Sequence, residues 1–168
     1  MLALFIAAFQ MFFQPPAQEE PQQTDVCAFF SDPLRWNGKL IRVSGELELG
    51  HGEGGPWLSG RRCSAFIAAK GVKFPNLVEL TNPNSKLKLH NVVFRWDEAS
   101  WNRFVMTLSQ VDQDSEHITA TVIGVFETRD PLSDLIQNGQ ERGFGHLGGS
   151  PAQILVKTMP ALSIVKNQ

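Results

Sequence analysis

The sequence has no tyrosine, only two cysteines and few charged residues. Charged residues make up 19% of the 168 residues, below the average of about 25% for soluble proteins. Lys and Arg together number 15 against 17 Asp and Glu, so the chain lacks the positive field that draws nucleic acid or an anionic membrane surface. The composition therefore argues against a nucleic-acid partner.

The sequence also lacks an apolar run of the length that a membrane-spanning helix needs. Its N-terminal stretch, residues 1–13 (MLALFIAAFQMFF), is interrupted by Gln10 and falls short of the roughly 20 residues that cross a bilayer. Such a run is typical of a secretory signal, and we expect residues 1–14 to form a leader of this kind. No Lys or Arg precedes the run and no clean small-residue cleavage site follows it, so a buried helix of the fold is the alternative. No cysteine stands at a plausible cleavage point, which argues against a lipid anchor.

A Pro- and Gln-rich stretch, QPPAQEEPQQ, separates this leader from the rest of the chain. Its composition is typical of a disordered linker, which we assign to residues 15–23. Residues 24–168 are of a size for one domain, and the 12 Phe and 4 Trp of the chain can supply an aromatic core without tyrosine. We therefore expect a periplasmic or secreted protein that meets a membrane only through an uncleaved leader.

The two cysteines, Cys27 and Cys63, lie 36 positions apart. An even pair in an exported protein predicts a disulfide. Two buried thiols are the alternative. Neither cysteine has another Cys or a His within a few residues, so the spacing does not favour a metal site.

Hydrophobic periodicity predicts a mainly β domain. Residues 40–49 (LIRVSGELEL) alternate between apolar and polar side chains, which is typical of a half-buried strand. Further strands are predicted around 56–58, 64–68, 77–80, 117–127 and 152–157, the last with an extension to Val165.

Two helices are predicted among these strands. Thr24 and Asp25 are suited to cap a short N-terminal helix that ends near Asp32, before Pro33. Asp97 is suited to cap a longer amphipathic helix over about 97–110. Its apolar residues fall at i, i+3, i+4 and i+7 and form one stripe that is predicted to face the core: Trp101, Phe104, Val105 and Leu108.

This element order resembles the OB-fold, a five-stranded Greek-key barrel. Residues 32–49 (DPLRWNGKLIRVSGELEL) are similar to the Asn-Pro-x-x-aromatic-x-Gly-Lys-x-Val-x-Val-x-Gly opening of small exported OB-like bacterial proteins of uncharacterised function. GFGHLG and the following PAQILV are similar to the closing segment of such proteins. The resemblance implies an OB-like barrel of five to six strands and no particular activity. Residues 70–96 depart from a minimal OB domain by inserting a loop and an extra strand before the helix.

The stretch GFGHLGG, residues 143–149, contains the string G-x-G-x-x-G. This string binds dinucleotides when it follows a strand and opens a helix. Here a polar segment precedes it, and Ser150, Pro151 and a predicted strand follow it. We therefore interpret the glycines as providing left-handed φ angles and close backbone contacts rather than a nucleotide site.

Several residues in or near Gly-rich turns are candidates for contact with a ligand: His51, Trp57, Arg61, Arg62 and His146. Each has a structural alternative, namely a core position for the tryptophan, a solvated turn for the arginines and a backbone-bonded loop side chain for His146. His51 and Glu53 supply too few ligands for a metal site. The sequence shows no nucleophile elbow and no pair of carboxyl groups placed for acid–base catalysis. We accordingly assign no catalytic residue, metal or cofactor.

These patterns favour an exported OB-like binding or interaction module that meets a protein or small ligand in the cell envelope. Two alternatives remain open. One is a small hydrolase or metal-dependent enzyme that uses His51 or His146 with a carboxylate. The other is a purely structural domain of the cell envelope.

Overall fold

The computed structural model describes residues 19–50, 55–81, 88–89, 92–93, 97–112 and 114–167, with the backbone alone at His146 and at 88–89 and 92–93. The predicted leader over residues 1–14 and the candidate residue His51 lie outside the described residues. Among the helices that are described, none combines the length and the apolar character needed to cross a membrane.

Five strands close into a barrel: β1 (Leu40–Glu48), β2 (Trp57–Ser59), β3 (Leu77–Thr81), β4 (Glu116–Thr128) and β5 (Ala152–Lys166). Around the barrel β1 pairs with β2, β2 with β3, β3 with β5, β5 with β4, and β4 again with β1. The β3–β5 pair is parallel and the other four pairs are antiparallel. This arrangement confirms the predicted mainly β, OB-like barrel.

The predicted alternation of β1 decides which side of that strand faces inward. Ile41, Val43 and Leu47 are buried in the core, whereas Arg42 and Ser44 between them are exposed. Burying each aliphatic side chain contributes roughly 1.5–3 kcal/mol.

Phenylalanine and tryptophan fill one end of the tyrosine-free core. Phe29 stacks on Phe126 with ring centroids 4.4 Å apart, and Trp36 meets the edge of Phe29 at 6.1 Å. Stacked and edge-to-face pairs are the arrangements that aromatic quadrupoles favour.

The two helices at the start of the domain are α1 (Val26–Ser31) and α2 (Pro33–Trp36). The Asp25 carboxylate accepts a hydrogen bond from the Ala28 N–H, which confirms the predicted cap of the short N-terminal helix. The sequence did not predict α2. Pro33 ends α1 but is tolerated in the first turn of the next helix, because its missing N–H has no intrahelical partner there.

A further strand, Gln22–Asp25, pairs in parallel with Ile41–Ser44 of β1 and extends the barrel sheet to six strands. It includes Gln22 and Gln23, which the composition had assigned to the disordered linker. Strand pairing is made by backbone N–H and C=O groups, so a segment can pair as a strand even when its glutamine-rich composition predicts disorder.

The predicted amphipathic helix is α3 (Glu98–Leu108), and Asp97 caps it by accepting from the N–H groups of Ala99 and Ser100. Its core-facing side differs in part from the prediction. Phe104 is buried as predicted, but Val105 is 46% exposed and Ser100 is only 1% exposed. The Ser100 hydroxyl lies 2.9 Å from that of Thr158 on β5, so the helix docks through this side. Val105 is about 140° around the helix from Ser100 and therefore faces away.

Short two-stranded antiparallel sheets lie in the connections outside the barrel sheet: Ala68–Ala69 with Val72–Lys73, Lys88–Leu89 with Val92–Val93, and Ile136–Gln137 with Gln140–Glu141. Single 3-10 turns cover Leu132–Leu135 and His146–Gly148. The second of these turns lies in the glycine-rich segment singled out in the sequence.

The predicted disulfide joins Cys27 of α1 to Cys63 in the turn after β2, with Cα atoms 5.2 Å apart. Gly60 lies against the Phe30 ring of the same helix, at a distance that leaves no room for a Cβ. The disulfide and this close contact together hold α1 against the β2–β3 connection.

We expect the double substitution Cys27→Ser with Cys63→Ser to lower the free energy of unfolding by roughly 3–4 kcal/mol, because it frees the loop between the two residues in the unfolded chain. Denaturant titration of both proteins measures this difference. A change below about 1 kcal/mol would show that the crosslink hardly restricts the unfolded chain.

Candidate functional site

A row of mainly polar side chains crosses the outer face of the barrel, one from each strand. Trp57 of β2 lies between Glu48 of β1 and Glu79 of β3. Glu79 is followed by Gln153 of β5, and Gln153 by Glu127 of β4. Because side chains alternate along a strand and the positions beside these residues face the core, all five share the outer face. We call these five residues the polar row.

The two ends of the polar row are hydrogen-bonded. At one end Ser59 donates to Glu48 over 2.5 Å. At the other end the Gln153 amide donates to Glu127 over 2.7 Å and accepts from the Thr81 hydroxyl over 2.9 Å. Each of the two end acids therefore has a carboxylate oxygen that accepts a hydrogen bond within the sheet.

Glu79, in the middle of the row, is in a different situation. Its side chain is nine-tenths buried, with 9% exposed, and its Oε2 has no hydrogen-bond partner among the described residues. Burial raises the pKa of this carboxyl to about 7, and a hydrogen bond from Trp57 opposes the shift. Near neutral pH the group is therefore divided between its neutral and charged forms.

The segment Gly143–Gly149, which we call the glycine loop, covers the Glu79 carboxyl. A Cβ placed on Gly145 would lie 2.8 Å from the Glu79 Oε2, so the Gly145 backbone occupies the space directly over this oxygen. Gly145 and Gly148 both have φ of +71°. These angles and the close approach confirm that the glycines serve backbone geometry, and β5 rather than a long helix follows them.

The glycine loop is held at its base. Phe144 and Ser150 exchange backbone hydrogen bonds of 2.7 and 3.1 Å. The Arg129 guanidinium lies 4.7 Å from the centroid of the Phe144 ring and donates to the Arg142 carbonyl. At the tip, Leu147 has φ of +56° and is 83% exposed. A residue other than glycine in this left-handed backbone conformation is strained by roughly 1–2 kcal/mol.

A groove of about 940 Å³ runs beside the glycine loop. Its wall carries two arginines, two acids and two amides together with the loop: Arg129, Arg142, Asp134, Glu141, Gln137, Gln140, Gly143, Gly145, Leu147 and Gly148. The formal charges of the wall balance, and most of its groups donate or accept hydrogen bonds.

The structure brings some of the candidate residues together and places others apart. Trp57 and the glycine loop meet at Glu79. Arg61 is largely exposed and pairs with Glu48, so it stands at the far end of the polar row. Arg62 lines a separate groove on the β1–β4 side. The side chain of His146 lies outside the described atoms.

Sequence reasoning did not select Glu79. The only local signal was an acid between apolar residues in the predicted strand 77–80. Its burial depends on the Gly145 backbone, which is distant in sequence. Within the described part of the chain, no three His, Cys, Asp or Glu residues cluster closely enough to hold a metal ion.

The raised pKa of Glu79 makes the stability of the protein depend on pH. The folded state holds a proton more tightly than the unfolded state, whose pKa is 4.5, so stability falls as the pH rises from about 4.5 to about 7. We expect Glu79→Gln to remove this fall and to raise the unfolding free energy at about pH 8 by about 1–3 kcal/mol, the usual cost of an unsatisfied buried polar group.

Thermal unfolding of both proteins across this pH range measures the effect. Glu127→Gln is the matched control in the same row, since Glu127 has its partner in Gln153. Wild type and Glu79→Gln with equal pH slopes would contradict the assignment.

Comparisons of the chain with protein families, with curated protein sequences and with solved structures gave no match. The proposal of a function therefore rests on the geometry of the site.

Proposed function

We propose that the protein is an extracytoplasmic binding module whose ligand lies in the groove beside the glycine loop. The observation that carries this proposal is a braced loop that holds Leu147 out in water beside a large groove. A residue other than glycine in the left-handed region is strained, and such strain is found mainly at active sites and ligand contacts. The disulfide supports an oxidising location.

The charge balance of the groove favours a ligand without strong net charge. Arg129 and Arg142 offset Asp134 and Glu141, so neither an anionic nor a cationic ligand would find a complementary field. The guanidinium groups, the carboxylates and the amides of Gln137 and Gln140 can each form paired hydrogen bonds. We therefore propose a neutral, hydroxyl-rich ligand such as a sugar chain, with Leu147 contacting its apolar face.

The alternatives gain less support from the same geometry. A groove of this size beside residues 143–148 favours a binding role over a purely structural one. The hydrolase alternative has one observation in its favour, because a carboxyl with a pKa of about 7 is suited to general acid catalysis. However, Glu79 lies beneath Gly145 rather than in the groove wall, so we give it a supporting role.

We expect soluble neutral oligosaccharides to shift the backbone amide NMR signals of residues 129–148. A second groove, lined by Glu46, His117 and Asn167 among others, serves as the reference site, and the signals of the residues around it should not shift. A single-stranded DNA oligonucleotide is the anionic comparison and should shift neither set. Shifts centred on the second groove, or stronger shifts with DNA, would contradict the proposed site or ligand class.

We expect Arg142→Ala to weaken oligosaccharide binding about tenfold, because a charged hydrogen-bond donor is removed from the groove wall. Arg62→Ala is the matched control, as it deletes an exposed arginine from another groove. Both variants should keep their unfolding free energy within about 0.5 kcal/mol of wild type. Titration calorimetry measures the affinities, and equal losses in the two variants would argue against this groove.

A further inference from the structure

Glu79 and the glycine loop meet without a compensating positive charge among the described neighbours. Trp57, on β2, contributes an indole N–H. Gln153, on β5, is already bonded to Glu127 and to Thr81. From the loop, the Gly145 backbone covers the carboxyl oxygen that has no partner.

Among the described residues, the charged groups near this contact either carry the same sign as Glu79 or have hydrogen-bond partners other than Glu79. Glu48 lies beyond Trp57 in the polar row and is paired with Arg61. Arg142 donates to the side chain of Gln140 and Arg129 to the backbone of the loop. His146 follows Gly145 in the chain and is the titratable group of the glycine loop itself.

We propose that Glu79 is a proton-dependent latch for the glycine loop. A neutral carboxyl allows Gly145 to rest on it, and an ionised carboxylate displaces the loop so that water can reach Oε2. The latch sets the shape of the groove whatever ligand the groove binds, so it goes beyond the function proposed above.

The physical basis is the cost of a buried carboxylate whose oxygen has no donor. Water is a source of donors, and the Gly145 backbone that lies against Oε2 is itself exposed to solvent. Gly145, Leu147 and Gly148 have positive φ angles and form the turns of the loop. Small backbone rotations at these residues lift the tip of the loop. The Phe144–Ser150 pair and Arg129 hold the base, so the motion is confined to the loop.

The direction of the pH effect follows from linkage. Under the seated loop the pKa of Glu79 is about 7, and in water it returns to 4.5. The equilibrium constant for loop opening therefore rises by up to about tenfold per pH unit between these two values. It levels off at higher pH, because the carboxyl is then ionised in both states.

Amide hydrogen exchange of the full chain tests the latch. The reporters are the hydrogen-bonded amides of Gly143 and Gly148, corrected for intrinsic exchange, with the amides of the fixed base, Phe144 and Ser150, and those of β4 as internal references. From about pH 5 to about pH 7, we expect loop protection in the wild type to fall at least about tenfold while β4 protection does not. In Glu79→Gln the loop protection should stay constant.

His146→Ala separates the effect of Glu79 from that of the histidine in the loop. Unchanged pH dependence in this variant supports the latch, and its loss would assign the effect to the histidine and overturn the proposal. The same fall in Glu79→Gln as in wild type would also overturn it.

Gly145→Ala keeps the proposal testable if Glu79→Gln does not fold. The added Cβ would lie 2.8 Å from Oε2, and alanine is strained at the φ of +71° that Gly145 adopts, so the substitution should unseat the loop at every pH and leave protection low and flat. A wild-type pH profile in Gly145→Ala would overturn the latch.

Discussion

The parallel pairing of β3 with β5 is the constraint on which the site depends. Its register sets Ala152 opposite Val78 and Gln153 opposite Glu79. The glycine loop leads through Ser150 and Pro151 into β5, and its Gly145 lies against Glu79 on the outer face of β3. Parallel neighbours require a long connection between them, and the connection supplies both α3 and β4. The site is thus a consequence of how this barrel closes.

Within this frame Glu79 is the member of the polar row that has a buried carboxylate oxygen without a hydrogen-bond partner among the described residues. Hydrogen bonds satisfy Glu48 and Glu127, whereas Oε2 of Glu79 is enclosed under Gly145. An arrangement of this kind lowers stability and persists where a protein gains function from it. The proximity of this buried acid to a braced loop and an open groove is the reason to connect it with binding.

Local sequence patterns predicted much of the fold. Alternation in residues 40–49 and the apolar run at 117–127 located β1 and β4, and Asp97 located the start of α3. Each of these signals comes from residues that are close in sequence, where backbone periodicity determines which side chains share a face. The same patterns misplaced Val105, because the side of a helix that is buried depends on the element against which it packs.

The sequence by itself determined the mainly β alternation, the possibility of a disulfide between its two cysteines and the glycines at 143, 145 and 148, since patterning, cysteine number and backbone freedom are properties of local residue types. The barrel class was predicted from the resemblance of the element order to OB-like proteins. Only the tertiary structure decided that Gly145 rests on Glu79 and that Arg61 pairs with Glu48 instead of joining the loop. These contacts join residues far apart in the chain. They depend on strand register and barrel closure, which a residue's own neighbours do not encode.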